Sequence, residues 1–457
     1  MSIIIKGGTI VTPRKSYVSD IKIEDEIIIE IGEDLVDSDA QIINAEGCLL
    51  FPGFIDSHTH FDLDTGYTRT ADNFKTGTAA AIIGGTTSIL DFATQNKGET
   101  LSEALENWHD LAKDVSSCDY GFHMAITEWN EDIKNELEVM QDKGITSFKA
   151  YMAYDSLRIN DGDIYTILKS LKKYNGILGV HCENGDIVNT MIEEQLKSGN
   201  TTPAAHPLSR PNIVESEAIS RYIDIAKLAD APINIVHLST KEGAEKVLDA
   251  REKGQEVYAE TCPQYLLLED SLYNSEDFES AKYVLSPPLR KKDDIERLWQ
   301  ALSDGHIDTI GTDHCSFNFK GQKDHGINDF SKIPNGIPGV EHRPVLLYTY
   351  GVNEGRITKE KMCGLLSENI AKIFGMYPKK GVLQVGSDAD IVIWDTKIEG
   401  IISKKNQNQN VDYTPYESFK TIGKAKHVFL RGRHIVENGN IIKPNFGKYI
   451  KRGGSNV

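Results

Sequence analysis

What this chain lacks narrows its class before any motif is read. Across 457 residues, no uninterrupted apolar run approaches the roughly 20 that a membrane-spanning helix requires. The opening Met1-Ser2-Ile3-Ile4-Ile5-Lys6-Gly7 turns polar too early for a signal peptide, so a cytoplasmic enzyme is expected. The six cysteines (Cys48, Cys118, Cys182, Cys262, Cys315, Cys363) include no CxxC pair, which argues against a disulfide framework or a zinc knuckle. No Lys/Arg cluster is dense enough to track a phosphate backbone, and the net charge is −18. Nucleic-acid and membrane partners are therefore not expected. No glycine-rich phosphate loop follows any predicted strand, which disfavours a doubly wound open sheet.

What is present suits a soluble globular protein, with 39% hydrophobic and 26% charged residues. The length accommodates a large barrel plus an accessory domain. Both ends of the chain are rich in short strands. Ile3-Ile4-Ile5, Thr9-Ile10-Val11, Ile21-Lys22-Ile23 and Ile27 to Ile31 open it, and Asp390 to Trp394 and His427 to Leu430 close it. One small β-sandwich domain is predicted from residues 1–50 plus 380–445, with a polar, Gly-rich tail over 446–457.

Residues 51–379 alternate apolar runs with helical patterns. The runs are Leu49 to Phe54, Thr86 to Phe92, Gly121 to Ala125, Ser147 to Tyr151, Ile177 to Val180, Ile233 to Val236, Val257 to Glu260 and Thr309 to Gly311. Among the helices, Glu215 to Leu228 places Ala218, Ile219, Tyr222 and Ala226 on one face and stops before Ala231-Pro232. Eight βα units in series predict a closed parallel (β/α)8 TIM barrel.

The chemistry lies at the strand ends, which converge on one mouth in such a barrel. Strand one ends in His58-Thr59-His60, strand four contains Lys149, and strands five, six and eight end at His181, His237 and Asp313. His58 and His60 are two apart on a strand, so both rings face the same side. Read singly, a histidine after an apolar strand is a packed residue satisfied by a backbone bond. Four of them at the same end of successive strands point to a metal centre. Lys149 as written cannot be a ligand, because an ammonium has no lone pair; alone, it reads as an ion-pairing residue. Carboxylated by CO2, it becomes a carbamate able to bridge two ions about 3.5–4 Å apart.

These motifs carry a resemblance. His58-Thr59-His60, Ser147-Phe148-Lys149, Val180-His181, Val236-His237-Leu238-Ser239 and Gly311-Thr312-Asp313-His314-Cys315 resemble the metal motifs of the amidohydrolase superfamily. More specific are Glu260-Thr261-Cys262-Pro263-Gln264-Tyr265, Ser286-Pro287-Pro288-Leu289-Arg290, Pro334 to Glu341 and Val411 to Glu417. They are similar to the dihydropyrimidinase/hydantoinase branch, nearest its bacterial D-phenylhydantoinase-like members. The resemblance implies one divalent ion on His58, His60, Lys149 and Asp313 and a second on Lys149, His181 and His237. Zinc is implied; N/O donors also admit manganese or cobalt.

It further implies a hydrolase that opens the cyclic amide of hydantoins or dihydropyrimidines by attack of a metal-bridging hydroxide, giving N-carbamoyl amino acids. Asp313 is then base and acid, and Tyr154 donates to the oxyanion. Without the resemblance Tyr154 is a barrel-rim aromatic. Ser286 and Asn335 are implied to hold the substrate amide edge through main-chain groups, where Ser286-Pro287-Pro288 alone reads only as a turn. A homotetramer or dimer is also implied.

After His60 the loop Phe61 to Thr70 departs from the more apolar stretch common in hydantoinases. Leu63, Tyr67 and Tyr151 are expected to form a partly aromatic pocket for a bulky 5-substituent, with Arg69 at its rim. His123 reads as a packed strand residue, His206 as a loop residue, His314 as at most a support for Asp313, and Cys315 as a pocket wall. Among rivals, an allantoinase fits the Ser286 to Arg290 motif less well. A dihydroorotase would want an arginine where Phe61-Asp62 stands, and a collapsin-response-mediator-like scaffold would lack ligands that are all present here.

Overall fold

The apolar runs become strands because β-branched and aromatic residues pack on a pleated surface buried on both faces. The computed structural model describes residues 2–275 and 277–454. Its barrel strands are β1 (Phe54–Thr59), β2 (Thr86–Thr94), β3 (Asp119–Ala125), β4 (Ser147–Tyr151), β5 (Ile177–His181), β6 (Ile233–Ile235), β7 (Val257–Thr261) and β8 (Thr309–Ile310). They pair in parallel in chain order. The helix expected over Glu215 to Leu228 spans Asn212–Ala229 and buries Ala218, Ile219, Tyr222 and Ala226. Burying a side chain such as Ile219 contributes roughly 1.5–3 kcal/mol.

The ring closes through side chains rather than a full ladder. A single parallel bridge joins Thr59 to His314, and the His60 amide donates to His314 O at 2.9 Å. Below it, the buried Arg343 donates from Nη1 to Ile55 O and Ile310 O, each at 2.7 Å. One guanidinium thus satisfies carbonyls of both β1 and β8 where short β8 cannot.

The first barrel strand differs from expectation. Leu49–Pro52 belongs to the other sheet, where it pairs with Ser2–Val11 and antiparallel with Ile391–Ile401. Only Phe54–Thr59 enters the barrel. The chain crosses between the sheets at Gly53, whose amide donates to Asp390 O at 2.8 Å. A Cβ there would lie 2.0 Å from Thr87 Oγ1, so only glycine fits the crossing.

The second sheet has nine strands drawn from both chain ends. Ile5, Ile10, Ile21, Ile28, Leu50, Ile391, Ile393 and Phe429 form its core. Lys380 ties it to the barrel, reaching Asp119 Oδ2 at 2.6 Å, Asp390 Oδ2 at 2.7 Å and Asp388 Oδ2 at 3.0 Å.

The stretch expected as a tail (446–457) is packed over its described residues, and 455–457 lie outside them. Ile450 N donates to Tyr120 O at 2.7 Å, the Tyr449 ring lies against His109 and Phe122, and buried Arg452 donates to Ser147 Oγ at 2.7 Å. Its polar, Gly-rich composition conceals two anchoring side chains and one anchoring backbone amide.

Candidate metal centre

The parallel register sets the donors on neighbouring strands, with Lys149 two residues deeper than His181. Lys149 lies opposite Gly179 and Tyr151 opposite His181 across β4 and β5. His58 ends inside β1, while His60, His237 and Asp313 sit just past β1, β6 and β8. Three residues of this mouth have left-handed backbones: Tyr154 (φ 68°), His237 (φ 39°) and Asp313 (φ 52°). Non-glycine residues adopt this region only when their surroundings enforce it, and such strain concentrates at functional sites.

The six donors converge. Asp313 Oδ1 lies 3.2 Å from His58 Nε2 and 3.2 Å from His60 Nε2. His181 Nδ1 faces His237 Nε2 at 3.0 Å. Single ligand atoms of His58, His237 and Asp313 all fall within 4.8 Å of one another. The Lys149 Nζ is buried among them, 4.9 Å from the Phe92 ring centre.

Carboxylates behind the imidazoles decide which nitrogen faces inward. Glu260 Oε1 takes His58 Nδ1 at 2.5 Å, and Glu183 Oε2 takes His181 Nε2 at 2.8 Å while pairing with Arg210 at 2.6 Å. His58 Nε2 is left buried facing Asp313 Oδ1 at 3.2 Å, an ion-pair contact not aligned as a hydrogen bond. A buried imidazole nitrogen facing a carboxylate, with a His237 nitrogen within 4.8 Å, belongs to the donor set of a cation site. Gly311 protects this arrangement, since a Cβ there would lie 2.8 Å from both Glu260 Oε2 and His58 Cβ.

The electrostatics agree. Burial opposes a proton on His58, yet the Glu260 and Asp313 carboxylates outweigh it and raise its pKa to about 9. The pocket therefore favours a positive charge at that nitrogen. Burial holds His60 down to about 4 and His181 and His237 below the usual range, so their lone pairs stay available. Asp313, despite its burial, is held ionised by His58 and His60. Burial lowers Lys149 to about 8, which makes its neutral, CO2-reactive amine accessible near neutral pH.

Above these groups opens a cavity of about 580 Å³. Leu63, Tyr67, Tyr151, Tyr154, Ser286 and Asn335 all line it, with Leu157, Phe317 and Ile333 adding apolar wall. Arg69 is not among the lining residues; its guanidinium turns to Asp64 at 3.5 Å, where solvent solvates both charges. Burial raises the Tyr154 phenol to about 12, so it remains a donor.

Of the histidines given plainer readings, His206 differs: expected in a loop, it is buried in the short helix Ala205–Leu208 and bonds Leu285 O, while the others pack against protein groups. His123 bonds Ser147 Oγ and Ser57 O, and His314 bonds Asp72 and the Gly339 amide. Cys315 lines the cavity. Sequence reasoning missed Glu183, Arg210 and the role of Glu260. Glu183 carried a signal, lying two residues after His181.

A four-histidine, lysine and aspartate cluster at the mouth of a parallel barrel invites comparison with known enzymes. The amidohydrolase family model matches residues 49–435. The chain belongs to this family. A D-hydantoinase of Geobacillus stearothermophilus is 46% identical over 455 residues, 99% of this chain and 97% of that protein. A D-phenylhydantoinase of Escherichia coli is 39% identical over 456 residues, 99% and 98% of the two chains. The crystal structure of a dihydropyrimidinase from Brevibacillus agri matches with a TM-score of 0.98 at 43% identity, covering 100% of this chain and 99% of that one. Family membership suggests a binuclear metal centre, and the gathered donors fit one.

Proposed function

We propose that the protein is a metal-dependent cyclic amidase that opens hydantoin or dihydropyrimidine rings to N-carbamoyl amino acids. The observation that carries this reading is the convergence of His58 Nε2 and His60 Nε2 on Asp313 Oδ1, with the His58 ring fixed from behind by Glu260 through Nδ1. His58, His60, Lys149 and Asp313 would hold one ion, and Lys149, His181 and His237 the other. Lys149 would serve both as a carbamate, formed when its neutral amine adds to CO2 and loses a proton. We assign zinc, with manganese or cobalt as alternatives on the same donors. Bound there, the ions supply Lewis acidity to a ring carbonyl and lower the pKa of water toward 7.

The chain's own groups do the rest. The ionised Asp313 carboxylate accepts a proton from water and passes it to the departing ring nitrogen. Tyr154 donates its phenolic proton's hydrogen bond to the carbonyl oxygen as negative charge develops there. Main-chain groups of Ser286 and Asn335 hold the planar amide edge. Leu63, Tyr67 and Tyr151, joined by Phe317 and Ile333, face the 5-substituent and favour a bulky one. The same reading makes the enzyme a cytoplasmic homo-oligomer, dimer or tetramer, consistent with six unpaired cysteines. Among the described residues no helix is long and apolar enough to cross a membrane.

The test is a panel of phenyl- and methyl-substituted hydantoins, dihydrouracil and allantoin, assayed on chelated and metal-restored protein with metal analysis. We expect about two ions per chain, hydrolysis that returns with metal, and preference for the phenyl hydantoin. Metal-free protein with no turnover of any ring sinks the reading; preference for dihydrouracil sinks only the bulky pocket.

A further inference from the structure

Lys323 is fully buried, and no carboxylate pairs with it among the described residues. Buried lysines without a counter-ion are rare because desolvation penalises the ammonium. Here burial pushes the pKa down to about 7. Its Nζ donates to two backbone carbonyls, Val284 O and Pro334 O, each at 2.9 Å. Val284 lies two residues before Ser286, and Pro334 directly precedes Asn335. The two segments also touch each other, since Gly336 N donates to Val284 O at 3.1 Å. His206, from the short helix Ala205–Leu208, caps the same strip through Nε2 to Leu285 O at 2.7 Å.

The preceding residue reaches a third wall. Gln322 Nε2 donates to Thr68 Oγ1 at 2.7 Å and to Arg69 O at 2.6 Å, both in the loop carrying Leu63 and Tyr67. One dipeptide therefore holds three irregular segments that line the cavity. No regular ladder fixes their spacing.

We propose that Lys323 is a positioning residue, bracing the Ser286 and Asn335 segments at the separation a cyclic amide requires. The inference rests on the reading of those two residues as the amide clamp. It acts through their backbones and touches neither the metal donors nor the reacting atoms.

Lys323→Met keeps an unbranched stem of similar volume and removes a buried, unpaired amine, so a purely packing role predicts an unchanged or raised melting temperature and unchanged kinetics. The brace predicts instead that KM for hydantoin and dihydrouracil rises roughly tenfold or more, with kcat falling far less and metal content unchanged. Lys323→Gln, whose amide keeps two donors, recovers part of the KM. Amide exchange on the metal-loaded Lys323→Met protein reads the same brace without substrate. Faster exchange confined to 284–286 and 335–336 supports it, and unchanged exchange overturns it, as does an unchanged KM. If the wild-type protein opens no cyclic ureide, the amidase reading fails, and exchange alone decides the brace.

Discussion

The two walls of the cavity are built by different means. The strand-end wall carries His58, His60, Lys149, His181, His237 and Asp313 on or just past a parallel ladder whose register sets their height. The loop wall carries Leu63, Tyr67, Ser286 and Asn335 on irregular segments, held by single bonds such as Tyr67 OH to Lys332 O at 2.6 Å. Rigid strands suit chemistry, which tolerates little misplacement. Loops tied by a few side chains suit selection, since they change without disturbing the barrel.

The comparison breaks most visibly at Lys149. If the strand-end wall does the chemistry, Lys149→Ala lowers turnover by more than about 10⁴-fold on every substrate alike. Metal analysis should show the loss of at least one ion. A variant retaining near-wild-type turnover would undo the division of labour. A smaller effect is expected behind the wall. Glu260→Gln removes the carboxylate that orients His58, and metal affinity or turnover should fall about 10- to 100-fold with substrate preference unchanged. A shift in preference between phenyl- and methyl-substituted rings would show that the two walls are not separable.

The last effect concerns the loop wall and is read in stability rather than turnover. Lys323 falls from its ordinary 10.5 to about 7 on burial. Between those values the unfolded chain holds the proton and the folded one does not, so stability rises with pH. Below about 7 both states are protonated and the slope vanishes. Denaturant titrations from pH 7 to 9.5 should show wild type gaining on Lys323→Met by at most about 1.4 kcal/mol per pH unit. Parallel curves for the two proteins would place the amine in water rather than beneath the loops.

How much was legible in the sequence divides along the same line. Strand-end donors could be read because period-two alternation and the βα rhythm put His58 and His60 on one face and the other donors toward the same end of their strands. The split of Leu49 to Phe54 between two sheets could not, because a continuous apolar run does not reveal which sheet each half joins. The packing of Tyr449 and Arg452 was hidden by polar neighbours. Arg69, expected at the rim, pairs with Asp64, itself a residue of the cavity lining, an orientation that spacing in the sequence does not set.

By itself, the sequence determined the barrel and the donor types, because hydrophobic periodicity and the chemistry of imidazole, amine and carboxylate are properties of residues at known spacings. Tertiary structure alone decided which nitrogen of His58 faces inward, since its partner Glu260 stands 202 residues away. It alone decided the shape of the loop wall, where a lone amine holds two distant carbonyls. Such pairings exist only once the ring has closed, and no local pattern encodes them.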